Sequence, residues 1–224
     1  MSSSENIENI PLEGKIISDG LEIAYLDWQA TGQVHDNLLV LHPNGFCAGM
    51  FDPIARLISE NYRVVGVDLR GHGASEEVLE EKEHPLAVGA RRRRATWSDR
   101  EEIQNSYGSR KPLDALEPSV LKAYIQWGFV DRGDGQVELA CNPETEATIF
   151  GSRERYGPPS TFERLSEVKA ETHILAGKQT DLGKVWFEQQ AKEINTEVNW
   201  IQGGHFFFFE DLERSCSLVR EFIG

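Results

Sequence analysis

Two apolar runs near the N-terminus lack the alternation of a half-exposed strand. NLLVLH (residues 37–42) and RVVGVDL (63–69) predict strands buried on both faces of a parallel sheet. The segment between them (50–62) predicts a helix, because its apolar residues fall at helical spacing: Phe51, Ile54, Leu57 and Ile58. Strand, helix and strand in this order predict a βαβ unit with a right-handed crossover.

The same alternation returns in the last third of the chain. ETHILAGKQTD (171–181) and EVNWIQGGHFFFFED (197–211) predict strands that end in polar turns, with a helix over residues 184–194 between them. A closing helix from residue 211 has an apolar face formed by Leu212, Leu218, Val219 and Phe222. Near the N-terminus, residues 15–32 predict a β-hairpin that turns at Asp19-Gly20.

The middle third has a different pattern. Residues 90–109 and 115–129 predict two amphipathic helices, the first with Ser98 and Glu101 as a capping box and the second beginning at Pro118. A turn and short strand over 131–141 and a short helix over 142–152 follow. We therefore expect a core formed by residues 13–80 and 166–224, with a helical insertion over residues 81–165.

Composition limits the partners. The 224 residues carry a formal net charge of −14, which repels phosphate backbones and makes nucleic acid and anionic membrane surfaces poor partners. The three cysteines form no CxxC pair, so neither a disulfide framework nor a zinc site is expected. The N-terminal residues lack the pattern of a signal peptide, and no apolar run approaches a membrane span of about 20 residues. We expect a soluble, cytoplasmic protein.

Candidate chemistry lies at three strand ends. The turn His42-Pro43-Asn44-Gly45-Phe46 can present backbone N–H groups to a developing oxyanion. Asp181 can orient a histidine, and His205 can act as a general base. Each also has a purely structural interpretation: a tight strand-to-helix turn, a solvated loop carboxylate or helix cap, and a histidine that caps the next helix.

Taken in order, these motifs resemble the α/β-hydrolase superfamily, specifically its capped bacterial-type members. HPNGF resembles the oxyanion strip, VDLRGHGAS the strand and loop that follow it, LAGKQTD the acid loop, GGHFFFFED the histidine loop, and PLAVGARRRRATWSDREE the entry to the cap. The resemblance implies an α/β fold with a mostly parallel sheet flanked by helices and an inserted helical cap.

The same resemblance implies roles for individual residues. Asp181 matches the triad acid and His205 the triad base, and backbone groups near Asn44, Gly45 and Phe46 match one half of the oxyanion hole. Members of the family hydrolyse esters, lactones, epoxides or similar small substrates without a metal or organic cofactor. Four further residues are candidates for the lining of a small-molecule pocket between cap and core: His42, Trp97, Tyr124 and Trp127. The last three are equally compatible with simple packing between helices.

The family's nucleophile has no counterpart in this sequence. A G-x-S-x-G elbow on a buried strand belongs between Ser75 and the cap, but EEVLEEKEH follows Ser75 directly, and no other segment fits the pattern. The strand, elbow helix and second strand that belong there would occupy about 60 residues at ordinary element lengths. The sheet is therefore predicted to be shortened by the elbow strand and its neighbour. Either THILAG pairs beside NLLVLH, or apolar faces stay exposed and favour self-association.

Three functions remain open at this point. The first is a hydrolase-family protein with little or no conventional activity. The second is a working hydrolase with an unusual nucleophile, for which the candidates are Cys47, Ser75 and Asp68. The third is a non-catalytic module that binds a ligand or a protein. The basic run Arg91–Arg94 fits an anionic substrate, the acidic face of a partner, or ion pairs with Asp99, Glu101 and Glu102, and we expect the ion pairs.

Overall fold

The larger sheet of the computed structural model contains the predicted βαβ unit. Residues 10–18, 20–34, 36–75, 85–151 and 158–223 are described. The sheet has the order β1-β2-β4-β3, with β1 and β2 antiparallel, β2 and β4 antiparallel, and β3 and β4 parallel. Its strands are β1 (Leu12–Ser18), β2 (Leu21–Trp28), β3 (Asp36–Leu41) and β4 (Tyr62–Val67). A 3₁₀ turn (Ala48–Phe51) and helix α1 (Asp52–Ile58) connect β3 to β4.

The N-terminal hairpin confirms the prediction from its turn dipeptide. Strand β1 pairs with β2 from Leu12↔Asp27 to Ser18↔Leu21. Gly20 has a φ of +81°, a value that glycine adopts without the clash of a Cβ atom. Asp19 lies outside the described residues.

Within the predicted insertion (81–165), the structure describes residues 85–151 and 158–165. Its helices are α2 (Pro85–Arg91), α3 (Arg100–Tyr107), α4 (Pro118–Trp127), α5 (Pro143–Gly151) and α6 (Pro158–Glu163). A small antiparallel sheet has the order β5-β7-β6 and is formed by β5 (Thr96–Trp97), β6 (Phe129–Asp131) and β7 (Val137–Leu139). The predicted boundary between residues 80 and 81 lies outside the described residues.

The first predicted helix of the insertion is wrong in its extent. Strand β5 interrupts residues 90–109, because Trp97 is buried in the core and pairs with Val137. The predicted cap is also displaced by one residue. Asp99 caps α3 by accepting a 2.7 Å hydrogen bond from the Glu102 amide, and the Glu102 carboxylate accepts from the Ser98 amide at 2.9 Å.

The C-terminal part forms a separate two-stranded sheet. Strands β8 (Ile174–Gly177) and β9 (Val198–Ile201) are parallel and are joined by α7 (Lys184–Glu193). Helices α8 (Phe207–Glu210) and α9 (Leu212–Ile223) complete the chain. Among the described residues, no ladder of hydrogen bonds joins this pair of strands to the larger sheet. Strand β8 therefore does not pair with β3, which decides between the two arrangements left open by the sequence.

The prediction that β3 is buried on both faces is wrong. Leu39 and Leu41 are 66% and 56% exposed, because β3 is an edge strand of its sheet. An apolar cavity of about 230 Å³ lies beside the strand, bounded by Leu38 and Val40 of β3, Leu175 of β8, and residues of α1 and α9. The sheets thus stand apart at the place where the family's two missing strands were expected.

One hydrophobic core nevertheless joins the larger sheet to the insertion. Its buried residues include Trp28 of β2, Met50 of the 3₁₀ turn, Val64 of β4 and Tyr124 of α4, and helices α8 and α9 also contribute to it. The four predicted apolar positions of α4 are all buried: Val120, Leu121, Tyr124 and Ile125. Among the described residues, no helix is long and apolar enough to cross a membrane.

Candidate functional site

The turn that follows β3 is held in place by two buried histidines. His72 Nε2 accepts a 2.9 Å hydrogen bond from the Gly45 amide, and His42 Nε2 accepts one of 2.9 Å from the Leu69 amide. The Nδ1 atom of His42 lies 2.8 Å from the Pro43 carbonyl, and that of His72 lies 3.0 Å from the Arg70 carbonyl. Each ring is thus in the neutral tautomer that carries its proton on Nδ1.

Burial favours this neutral form. Loss of hydration lowers the pKa of His42 to about 4 and also lowers the pKa of His72. His42 is only 3% exposed and does not line the pocket described below. Both of its ring nitrogens contact backbone groups of the loops after β3 and β4. Its role here is structural support of the turn.

Two of the three backbone amides expected to bind an oxyanion have partners within the protein. The Gly45 amide donates to His72, and the Phe46 amide donates to the Pro43 carbonyl at 3.2 Å. Among the described residues, the Asn44 amide has no recorded acceptor. Asn44 is therefore the position of this turn with a free backbone donor.

A cavity of about 430 Å³, which we call the Asn44 pocket, opens beside this turn. Asn44, Gly45 and Phe46 form its base, and four aromatic residues from the insertion and the last third form its walls: Trp97, Tyr107, Tyr124 and Phe206. Two of the predicted pocket residues, Trp97 and Tyr124, are thus part of this lining. Trp127 lines a different cavity, next to Gly49 and Ala140.

The Asn44 pocket contains buried polar atoms without partners. Both side-chain amide atoms of Asn44, Oδ1 and Nδ2, are inaccessible to solvent and make no hydrogen bond, and the same is true of Trp97 Nε1. Buried polar atoms almost always have a partner in folded proteins. Two residues of the pocket lining therefore carry donors and an acceptor that the protein itself does not use.

Arginine and glutamate side chains connect the pocket to the insertion. Arg93 forms an ion pair with Glu146 and donates hydrogen bonds to the hydroxyls of Tyr124 at 3.1 Å and Tyr107 at 3.4 Å. Gly45 has a φ of +82°, and a Cβ atom there would lie 2.6 Å from Glu146 Oε1. A side chain at position 45 would therefore require the Glu146 carboxylate to shift.

The loops that carry Asp181 and His205 lie side by side. The Lys178 amide donates to the Ile201 carbonyl at 2.7 Å, and Gln179 and Gly203 exchange hydrogen bonds of 3.0 and 2.8 Å. These bonds follow from the parallel pairing of β8 and β9, whose carboxyl ends meet at one edge.

The two side chains themselves are not brought together. Asp181 and His205 are both exposed, and no hydrogen bond between them is recorded among the described residues. The His205 ring contacts Phe206, with ring centroids 5.0 Å apart, and Phe206 in turn contacts Phe46 at 5.3 Å. His205 thus contacts a residue of the pocket lining, but neither His205 nor Asp181 lines the described pocket.

The candidate nucleophiles at the strand ends are all engaged or buried. Cys47 is 1% exposed, and burial raises the pKa of its thiol, which disfavours the reactive thiolate. The Ser75 hydroxyl donates to the Asp68 carbonyl at 2.7 Å and accepts from the Ala24 amide at 2.8 Å. The Asp68 carboxylate accepts from the amides of Ala48 at 2.8 Å and Ala74 at 3.0 Å, so each group is used to hold backbone in place.

Several residues of the site were not identified from the sequence. His72, Tyr107 and Glu146 support the turn or the pocket wall, and Arg110 and Lys111 line its mouth. For His72 a signal was present, since it lies in the VDLRGHGAS motif. Arg110 and Lys111 follow α3 in a polar segment whose pattern does not indicate which cavity it faces.

Solved structures resemble the whole described fold. An E-2-(acetamidomethylene)succinate hydrolase has a TM-score of 0.73 at 12% identity, covering 95% of this chain and 99% of that chain. The peroxisomal α/β-hydrolase Lpx1 of Saccharomyces cerevisiae gives 0.70 at 11%, covering 96% and 90%. A thioesterase domain from the curacin biosynthetic pathway gives 0.67 at 14%, covering 95% and 100%.

The sequence matches no family model and no curated protein. At these identities the structural likeness establishes the fold, and it agrees with the βαβ unit, the turn after β3 and the paired loops after β8 and β9. The chain therefore has the α/β-hydrolase fold that its motifs predicted.

Proposed function

We propose that this protein is an α/β-hydrolase relative with little or no hydrolase activity. It retains the family's acid as Asp181, its base as His205 and part of the oxyanion strip at Asn44, Gly45 and Phe46. It lacks the nucleophile elbow, so neither retained side chain has a hydroxyl or thiol to activate.

One observation carries this proposal: no histidine lines the described part of the Asn44 pocket. Ser106 is the serine of its wall, and a serine hydroxyl is a weak nucleophile unless a base takes its proton. Of the residues that could replace the nucleophile in an active hydrolase, Cys47 is buried, and Ser75 and Asp68 are engaged in hydrogen bonds to backbone groups. The junction after Ser75, where the elbow segment is missing from the sequence, borders residues outside the described part.

Ester hydrolysis tests the proposal. With p-nitrophenyl acetate and butyrate, we expect the purified protein to give rates equal to buffer alone, and His205→Ala to change nothing. His173→Ala, which alters a histidine paired with Glu171 away from the pocket, is the matched control. Turnover that is lost in His205→Ala but kept in His173→Ala would overturn the proposal and favour a working hydrolase.

A second function, ligand binding without turnover, is favoured by the unpartnered atoms of Asn44 and Trp97. A concave cavity with aromatic side chains in its lining and a few convergent polar groups is typical of small-molecule sites. Upward shifts of the melting temperature with small organic molecules, and no consumption of those molecules, would support a binding module. A protein whose melting temperature responds to no such compound would contradict it.

A further inference from the structure

Three basic side chains at the mouth of the Asn44 pocket have no ion-pair partner among the described residues. They are Arg92, Arg110 and Lys111, all exposed. The other arginines of the basic run do have ion-pair partners: Arg91 pairs with Glu144, Arg93 with Glu146 and Arg94 with Glu102. The structure therefore separates the basic run into three paired arginines and one that is left free at the pocket.

This concentration of positive charge contrasts with the rest of the chain. The sequence has 23 basic and 37 acidic residues, yet Glu146 is the acidic residue of the described pocket lining, and Arg93 neutralises it. Arg94 is likewise neutralised by Glu102. Uncompensated charges of one sign around a concave site focus the electrostatic field and raise the local concentration of an oppositely charged ligand.

The interior of the pocket has a different character. Its walls are aromatic, and its base offers the unpartnered amide of Asn44. An inorganic anion would pair with the basic side chains at the mouth but would make no apolar contact with the aromatic walls. A neutral apolar compound would pack against the walls but would leave the basic side chains without a counter-charge. The two regions together fit a molecule with a charged end and an uncharged body.

We propose that the Asn44 pocket binds a small organic carboxylate. The carboxylate lies among Arg92, Arg110 and Lys111, and the uncharged body packs against the aromatic walls and hydrogen-bonds to Asn44. Arginine suits this role because its planar guanidinium matches the geometry of a carboxylate. This inference rests on the ligand-binding function proposed above and specifies the class of ligand.

Titration calorimetry with three probes tests the inference. The probes are phenylacetate, its neutral isostere phenylacetamide, and inorganic phosphate. We expect phenylacetate to bind about tenfold or more tightly than either of the others, which corresponds to about 1.4 kcal/mol. Its affinity should fall as salt is added, because exposed charges are screened.

A double variant, Arg92→Gln with Arg110→Gln, removes the charge at the mouth and keeps much of the side-chain length. We expect it to weaken phenylacetate binding about tenfold and to leave phenylacetamide unaffected. The matched control, Lys192→Gln with Arg220→Gln, removes the same charge from exposed positions on α7 and α9 and should change neither affinity. A control variant that weakens phenylacetate as strongly as the pocket variant would overturn the inference, since the effect would then come from net charge alone.

The three probes also separate the two proposals. Equal binding of phenylacetate and phenylacetamide would leave ligand binding standing and overturn the carboxylate inference. Equal binding of phosphate and phenylacetate would overturn the role of the aromatic walls. If no probe binds at millimolar concentration, both the ligand-binding function and the carboxylate inference are contradicted.

Discussion

The Tyr124 hydroxyl donates a 3.2 Å hydrogen bond to the Gly45 carbonyl, across 79 positions of sequence. The same hydroxyl accepts from Arg93 at 3.1 Å. A helix of the insertion is thus joined to the turn after β3 through a buried polar contact. Because buried hydrogen-bonding groups are costly to leave unpaired, this contact links the wall of the Asn44 pocket to its base.

Replacing Tyr124 with Phe tests that contact. The change leaves the Gly45 carbonyl unpaired and removes an acceptor from Arg93, so we expect the free energy of unfolding to fall by about 1–2 kcal/mol. Urea denaturation measures this. Tyr25→Phe is the control, because no hydrogen bond to the Tyr25 hydroxyl is recorded among the described residues. Equal losses in both variants would contradict a specific role for the Tyr124 hydroxyl.

Two glycines with nearly equal backbone angles allow the packing at position 45 to be measured. Gly45 has a φ of +82° and Gly135 a φ of +84°, so an alanine at either position carries a similar backbone strain of about 1–2 kcal/mol. A Cβ atom at Gly45 meets Glu146, whereas one at Gly135 meets nothing within 4 Å. We therefore expect Gly45→Ala to destabilise the protein clearly more than Gly135→Ala in thermal unfolding. Identical melting temperatures would show that Glu146 moves aside without cost.

The buried His42 predicts a loss of stability in mild acid. The folded chain keeps His42 neutral with a pKa of about 4, against a reference value of 6.5. The unfolded chain therefore takes up a proton at this position as the pH falls below 6.5, and the folded chain does not. The contribution of His42 to the free energy of unfolding is therefore fully present above pH 6.5. It is lost as the pH falls toward 4, by about 1.4 kcal/mol per pH unit.

The variant His42→Gln isolates this effect, because its amide can keep the hydrogen bonds to Leu69 and Pro43. Burial raises the pKa of Asp68, which stabilises the folded state on acidification. Both proteins contain Asp68, so this contribution cancels when they are compared. From pH 6.5 to 5, we expect the wild type to lose about 2 kcal/mol more than the variant in urea denaturation. If the free energy of unfolding depends on pH in the same way in both proteins, the lowered pKa of His42 is contradicted.

The exposed edge of β3 predicts self-association, which the sequence also suggested. Leu39 is 66% exposed on a strand whose outer edge is unpaired among the described residues, and such edges template contacts between chains. We expect Leu39→Lys to lower the apparent mass at high concentration in sedimentation velocity. Leu57→Lys changes a leucine that is 55% exposed on helix α1, away from the edge, and should leave the mass unchanged. Equal effects of both substitutions would argue against association through β3.

Local patterns predicted most of the elements. Helical spacing identified α1, α4, α7 and α9, and the glycine turn identified the hairpin, because these features depend on residues close in sequence. The burial of β3 was predicted wrongly because it depends on residues far away in the sequence. An apolar run indicates a buried strand only when a neighbour covers it, and here no described strand pairs with its outer edge.

The site was predictable only in part. The turn at Asn44 and the strand-end loops of Asp181 and His205 follow from their positions after strands, but their separation depends on how the sheets pack. The arginine run illustrates the same limit. The partner Glu102 of Arg94 was anticipated, whereas Glu144 and Glu146 come from α5, whose packing on α2 no local pattern reveals.

The division between the sheets has a consequence for how the molecule opens. With no ladder between β3 and β8 among the described residues, side-chain packing and a few bonds such as Glu117 N–H to Phe209 O at 2.9 Å hold the C-terminal part in place. Local openings can therefore release β8 and β9 while β2 and β4 remain paired. Amide protons of Ala176 and Trp200 should then exchange with deuterium well before those of Leu26 and Val65, so that the β8–β9 pair opens as a unit ahead of the larger sheet.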